Sequence, residues 1–171
     1  MISTPKHKVY FVGIGGIGMS AIALYLNANG KQVAGFDRVS TELTKNMEQQ
    51  GIAIHYSATN DSIPEKFRDA KNTLVVFTPA IPSDHPELDF FRKNEFEILK
   101  RSEMLGRITR DTTCMAVAGT HGKTTTSAIL AHIMTEAKTD ATAFLGGVSL
   151  NYNSNLIPGK AQVTIVEADE F

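Results

Sequence analysis

Apolar residues gather along this chain in short runs, and segments with apolar positions at helical spacing separate those runs. Val9-Tyr-Phe-Val12 is unbroken and reads as a buried strand. From Met19 to Asn29 the apolar positions recur at helical spacing, and Gly30 supplies a stop. Gln32-Val-Ala-Gly-Phe36 is the next strand, closing at Asp37, so the chain opens with a β-α-β unit. Thr41 to Gln50 reads as a helix, Ile52 to His55 as a short strand, and Thr73-Leu-Val-Val-Phe77 as a strongly β-prone buried strand. Pro86 to Asn94 predicts a helix with Leu88 and Phe91 facing inward, and Glu97 to Leu99 a short strand. Ser102 to Thr109 predicts another helix, with Glu103 near its N-terminus where a carboxylate is favoured.

The pattern restarts after the polar stretch Arg110-Asp-Thr-Thr113. Met115-Ala-Val-Ala118 is an apolar strand, and a helix runs through Ser127 to Met134 and on to Ala137. Then come the segment Ala143 to Val148, an Asn-rich loop through Asn155 and a strand from Gln162 to Val166. Strands alternating with helices predict an α/β protein. The expected fold is a Rossmann-like parallel-sheet N-terminal domain, residues 1–107, followed by the start of a P-loop α/β domain, residues 108–171.

Two glycine-rich turns carry the chemistry. Gly13, Gly15 and Gly18 satisfy G-x-G-x-x-G between a strand and a helix, and Asp37 follows 19 residues after Gly18. That context reads as a site for a nucleotide diphosphate, with Asp37 either a ribose-binding acid or a cap for the segment from Ser40 to Gln50. Thr78-Pro79-Ala80 follows the strand ending at Phe77, on the sheet edge where open α/β sheets bind ligands. The second turn is Gly119-Thr-His-Gly-Lys-Thr-Thr125, again between strand and helix. Its backbone N–H groups and the helix N-terminus suit phosphates, Lys123 suits the β and γ phosphates, and the Thr124 hydroxyl suits Mg2+. The general P-loop pattern would place a first glycine at position 117, where this chain has Val117. Glu167-Ala-Asp-Glu170 ends the last strand, where a carboxylate completes the metal site of P-loop proteins; Glu167 or Asp169 fits that role, and Glu170 is a base or a solvated residue.

Composition narrows the partners. The 171 residues suffice for one large or two small domains. With 17 basic and 18 acidic residues, no broad electrostatic surface for nucleic acid or anionic membrane is expected. Cys114 is the single cysteine, which excludes an intrachain disulfide, and its strand position predicts a buried, inert thiol. No apolar run approaches the roughly 20 residues of a membrane span, and no cleavage pattern follows the N-terminus, so a soluble cytoplasmic protein without membrane insertion is expected.

Gly13-Ile-Gly-Gly-Ile-Gly-Met19, Arg101-Ser-Glu-Met-Leu105, Ala116 to Thr126 and Glu167 to Glu170 resemble, in order and spacing, the Mur ligases of peptidoglycan synthesis. The resemblance accounts for Val117, because that family uses Gly-Thr-x-Gly-Lys-Thr without the earlier glycine. It implies a first domain for the UDP part of the substrate, a central ATPase domain, and a third domain for an amino acid. Gly13, Gly15, Gly16, Ile17 and Gly18 would then face the UDP diphosphate, with Asp37, Thr78, Pro79 and Ala80 around that pocket. Gly119, Thr120, His121, Gly122, Lys123, Thr124 and Thr125 would wrap ATP, and Thr124 with Glu167 would hold Mg2+. His121 is either a residue near the phosphates or a tolerated turn residue.

The implied reaction joins L-alanine to the lactyl carboxylate of UDP-N-acetylmuramate through an acyl phosphate, with Lys123, Thr124 and Glu167 as the catalytic set. Against that pattern the chain stops at Phe171, early in the central domain, and a fragment without ligase activity of its own is expected. The second domain, an incomplete parallel sheet with an apolar edge, is expected to be the less stable and to drive self-association into homo-oligomers. Two related readings are a murein-tripeptide-recycling ligase of the same family and a non-catalytic UDP-sugar-binding module. A nicotinamide-dependent dehydrogenase would explain the first turn and Asp37 but leaves Lys123 and Glu167 without a role.

Overall fold

The strands of the first half pair in parallel because each is followed by a helix or turn that returns the chain to the same end of the sheet. The computed structural model describes residues 6–160 and 163–168. The chain divides into two compact units, Met1–Leu105 and Gly106–Phe171.

In the first unit the elements are β1 (Lys8–Val12), α1 (Ile17–Ala28), β2 (Gln32–Phe36), α2 (Glu42–Gln49), β3 (Ala53–His55), β4 (Thr73–Phe77), α3 (Pro86–Lys93) and β5 (Glu97–Lys100), and α4 (Arg101–Thr109) spans the division between the units. The sheet order is β3-β2-β1-β4-β5, all parallel. β1 is central and buried on both faces, with Val9, Tyr10, Phe11 and Val12 sealed from solvent. That is why its sequence is an unbroken apolar run rather than an alternating one. On one face Tyr10, Phe36, Phe67, Phe91 and Phe96 form an aromatic-rich core. α1 is buried from Met19 through Leu26, which a helix with polar residues on one side could not tolerate.

α2 begins with a capping box: Thr44 N–H donates to Thr41 Oγ1, and Thr41 N–H donates to Thr44 Oγ1. Thr41 therefore caps this helix, and Asp37 does not. Leu88 and Phe91 of α3 are fully buried, as their spacing predicts.

The second unit contains β6 (Thr113–Val117), α5 (Lys123–Glu136), β7 (Ala141–Ser149), β8 (Ser154–Ile157) and β9 (Val163–Glu167), in the order β6-β9-β7-β8. β6, β9 and β7 are parallel, whereas β8 turns back antiparallel on β7. This corrects two expectations. The sheet is mixed rather than parallel, and the Asn-rich loop ends before Asn155, which lies inside β8 and is buried. A hairpin satisfies the backbone groups that a long loop here would leave exposed.

Cys114 is a further correction: it is exposed, not buried. β6 is an edge strand bonded on one side by β9, and residues 113–116 are all exposed. Among the described residues, no helix is long and apolar enough to cross a membrane.

Candidate functional site

The first glycine turn lies at the carboxyl edge of the five-stranded sheet. β1 has β2 on one side and β4 on the other, so the strand order reverses at β1, where open α/β sheets bind ligands. Gly13 and Ile14 N–H both donate to Phe36 O, at 2.8 and 2.9 Å. Gly15 N–H donates to Asp37 Oδ2 at 2.7 Å, and Asp37 Oδ1 accepts from Val39 N–H at 3.2 Å. The carboxylate of Asp37 thus ties the end of β2 to the turn.

Three glycines of this turn are fixed by close neighbours. A Cβ on Gly13 would stand 2.8 Å from Thr78 Cγ2, one on Gly15 2.8 Å from Asp37 Oδ2 and Thr44 Cγ2, and one on Gly18 2.8 Å from Arg101 Nη1. Gly16 has more room, with nothing nearer than 3.6 Å. Gly16 is the N-cap of α1, without a side-chain cap or an acidic residue in the first turn. The helix therefore presents its positive end at this edge, with Ile17 partly exposed beside it. A turn through Pro79 and Ala80, closed by Ile81 N–H on Thr78 O at 3.0 Å, brings Thr78 and Ile81 against the Cβ position of Gly13.

Behind Asp37 lies a buried polar network that the residue pattern does not announce. Tyr10 Oη donates to Glu87 Oε2 at 2.8 Å and lies 2.6 Å from His55 Nε2; Asp37 N–H donates to His55 O at 3.1 Å. Phe36 packs against the rings of both His55 and His85. Burial pushes Glu87 up to about 7, despite the Tyr10 hydrogen bond that pulls it down. Burial also raises Tyr10 and lowers His55 and His85.

His55 Nδ1 sits 3.0 Å from Ser57 O, which can only accept, so Nδ1 carries a proton. With the Tyr10 hydroxyl on Glu87, Nε2 must be protonated too. With that hydroxyl turned to Nε2, the imidazole is neutral and Glu87 holds the proton. The same protons serve both arrangements, and burial favours the uncharged one.

The second turn is built differently. Gly119 and Gly122 have φ of +143° and +78°, a backbone that side-chain-bearing residues rarely adopt. Gly122 is the N-cap of α5, so Lys123, Thr124 and Thr125 form the first helical turn, and Thr120 and His121 are exposed turn residues. Lys123 Nζ folds back to donate to Gly119 O at 2.6 Å, and Thr124 Oγ1 donates to Glu167 Oε2 at 3.0 Å. The register of β6 with β9 brings Glu167 opposite Val117, at the entrance of the turn.

Between Phe144 and Ser149 the β7–β8 register shifts, freeing Gly146 N–H to donate to Glu167 Oε1 at 2.6 Å. The Gly146-Gly147 pair was a legible signal for such an irregularity. Asp169 and Glu170 lie outside the described residues. An open cavity of about 380 Å³ adjoins the turn, and Thr124, Thr125, Gly147, Ile129, Val148 and Leu150 are among the residues that line it.

The Thr124–Glu167 pair suits Mg2+. That ion takes oxygen ligands at about 2.0–2.1 Å in an octahedron, so adjacent ligands stand about 3 Å apart; these two oxygens are 3.0 Å apart. Among the described residues no group of three or more His, Cys, Asp or Glu could hold a metal. A hydroxyl, one carboxylate, water and phosphate oxygens are the ligand set Mg2+ takes beside nucleotides.

The model of the Mur ligase family, catalytic domain, matches residues 8–113. The chain belongs to the Mur ligase family. Among curated Mur ligases, the chain is 54% identical over 165 residues to the UDP-N-acetylmuramate-L-alanine ligase of Flavobacterium psychrophilum, covering 96% of this chain and 37% of that protein. The enzyme of the same name from Christiangramia forsetii is 52% identical over 167 residues, covering 97% of this chain and 37% of that protein. This chain therefore spans little more than a third of those relatives. Among solved Mur ligases, the UDP-N-acetylmuramate-alanine ligase of Thermotoga maritima has a TM-score of 0.77 at 35% identity, covering 94% of this chain and 37% of that one. A murein peptide ligase from Psychrobacter arcticus has a TM-score of 0.83 at 25% identity, covering 96% and 38%.

Proposed function

We propose that this chain carries the UDP-substrate site and the triphosphate-binding turn of an ATP-dependent ligase that joins L-alanine to the lactyl carboxylate of UDP-N-acetylmuramate. The observation that carries the reading is the Thr124 hydroxyl held 3.0 Å from the Glu167 carboxylate beside the Lys123 turn. A dinucleotide-binding domain has no use for that arrangement.

A carboxylate is a poor electrophile because it has no leaving group. In the proposed reaction one lactyl carboxylate oxygen takes the γ-phosphoryl group as ADP departs, and the amine of L-alanine then displaces phosphate to form the amide. Thr124 and Glu167 would hold Mg2+, which would supply charge neutralisation at the phosphate oxygens. Lys123 leaves Gly119 O and turns to the β and γ phosphates, which the N–H groups of the turn and the N-terminus of α5 surround. Most of the rate enhancement is positioning and charge stabilisation.

Gly13 to Gly18 hold the diphosphate of the UDP-sugar, bordered by Asp37 and by Thr78, Pro79 and Ala80. The likeness to the murein peptide ligase supplies the second reading, in which a peptide replaces alanine as the amine. The test is phosphate release by a chain of the relatives' full length carrying this sequence, with ATP, Mg2+ and UDP-N-acetylmuramate. Turnover with L-alanine supports the first reading; turnover with murein tripeptide alone replaces it with the second; none with either amine refutes both.

A further inference from the structure

Gly18 has a neighbour that the glycine pattern does not explain. A Cβ there would stand 2.8 Å from Nη1, 3.1 Å from Cδ and 3.4 Å from Cζ of Arg101. The contact is thus with the length of the arginine side chain, across 83 residues of sequence. Arg101 is the first residue of α4 and follows β5 directly, where Lys100 pairs with Phe77 of β4. Its side chain therefore runs from the carboxyl end of β5 past the end of β4 to the first turn of α1. It is half-buried.

A planar guanidinium beside a helix N-terminus and glycine amides has the geometry for bidentate contact with phosphate oxygens. We propose that Arg101 is the arm that clamps the diphosphate of the UDP-sugar onto the first glycine turn, and that residue 18 is glycine to leave room for that arm. This rests on the UDP-substrate reading of the turn. Gly18 then serves affinity indirectly: any side chain there displaces the arginine rather than the phosphates. Gly16, whose Cβ position is open, is left as the glycine that directly faces the ligand.

The test is a double-mutant cycle on the full chain, titrated calorimetrically with UDP and with UDP-N-acetylmuramate. Arg101→Met keeps the aliphatic stem and should weaken both ligands roughly 10- to 100-fold, the scale of a charge-assisted hydrogen bond. Arg101→Lys should fall between it and the wild type. Gly18→Ala should weaken binding several-fold alone and add nothing in the Arg101→Met background. Equal affinity of Arg101→Met and wild type, or additive losses in the double variant, would overturn the proposal while leaving the UDP site in place. If the wild type binds neither ligand, the site reading fails and this inference fails with it. Unchanged amide exchange protection of β1 and β4 in each variant separates lost contact from lost fold.

Discussion

The two glycine turns of this chain share a position between strand and helix and differ in why they contain glycine. In the first, Thr78, Asp37 with Thr44, and Arg101 fill the spaces where Cβ atoms of Gly13, Gly15 and Gly18 would lie. In the second, nothing among the described residues lies within 4 Å of a Cβ on Gly122, and Gly119 meets only His121 O at 3.6 Å. There the positive φ values alone demand glycine, a torsional constraint that in the first turn only Gly13, at +88°, adds to its packing. The first turn is a packed joint anchored to a buried sheet. The second is an exposed loop whose shape comes from backbone torsion and whose side chains are held by the Lys123 and Thr124 contacts. A glycine motif therefore encodes two different constraints, and substitutions should separate them.

The largest expected effect falls on the second turn. Lys123→Ala should lower kcat of the full-length ligase by about 100- to 1000-fold, the usual cost of removing one charge-stabilising group. Calorimetry should find UDP-N-acetylmuramate affinity unchanged, because the first turn is untouched. Loss of both would mean the two turns are not separable. Next is Gly15→Ala, which drives a methyl group into Asp37 and Thr44; it should destabilise the first unit by about 1–3 kcal/mol, read from amide exchange of β1 and β2. Gly122→Ala should cost the second unit about 1–2 kcal/mol through its left-handed torsion, with no clash to relieve. Equal costs confined to one unit would erase the distinction.

A smaller, pH-dependent effect belongs to the network behind the first turn. The folded pKa of Glu87, about 7, exceeds its ordinary value of 4.5. Between those values the folded chain holds a proton that the unfolded chain has released. Its stabilising contribution is complete below pH 4.5 and is lost as pH rises through 7. His55 and His85, lowered by burial, act oppositely: their contribution is present above pH 6.5 and is lost as pH falls below it. Glu87→Gln removes only the first of these, so in urea unfolding it should gain stability relative to the wild type between pH 5 and pH 8. A constant difference across that range would mean that Glu87 does not change charge there.

β1, β2 and β4 were legible because strands buried on both faces are near-continuous apolar runs. β8 was not, because Ser154-Asn-Leu-Ile157 opens with two polar residues whose burial depends on the hairpin partner. Cys114 was misread for a related reason: an apolar neighbourhood suggests burial, whereas its exposure follows from the edge position of β6, which is a property of strand order. The two loops could be placed from local spacing alone. The tie of Gly18 to Arg101 and the Tyr10–His55–Glu87 network could not, since each joins residues distant in sequence and depends on which strands lie side by side.

The most direct test of the central claim is calorimetric titration of this chain with UDP-N-acetylmuramate, using NADH as the competing ligand for the same glycine turn. The account predicts binding of the UDP-sugar and no heat from NADH. Binding of NADH with none of the UDP-sugar would contradict it, and would return the first turn to the dinucleotide-binding role its glycine spacing also permits.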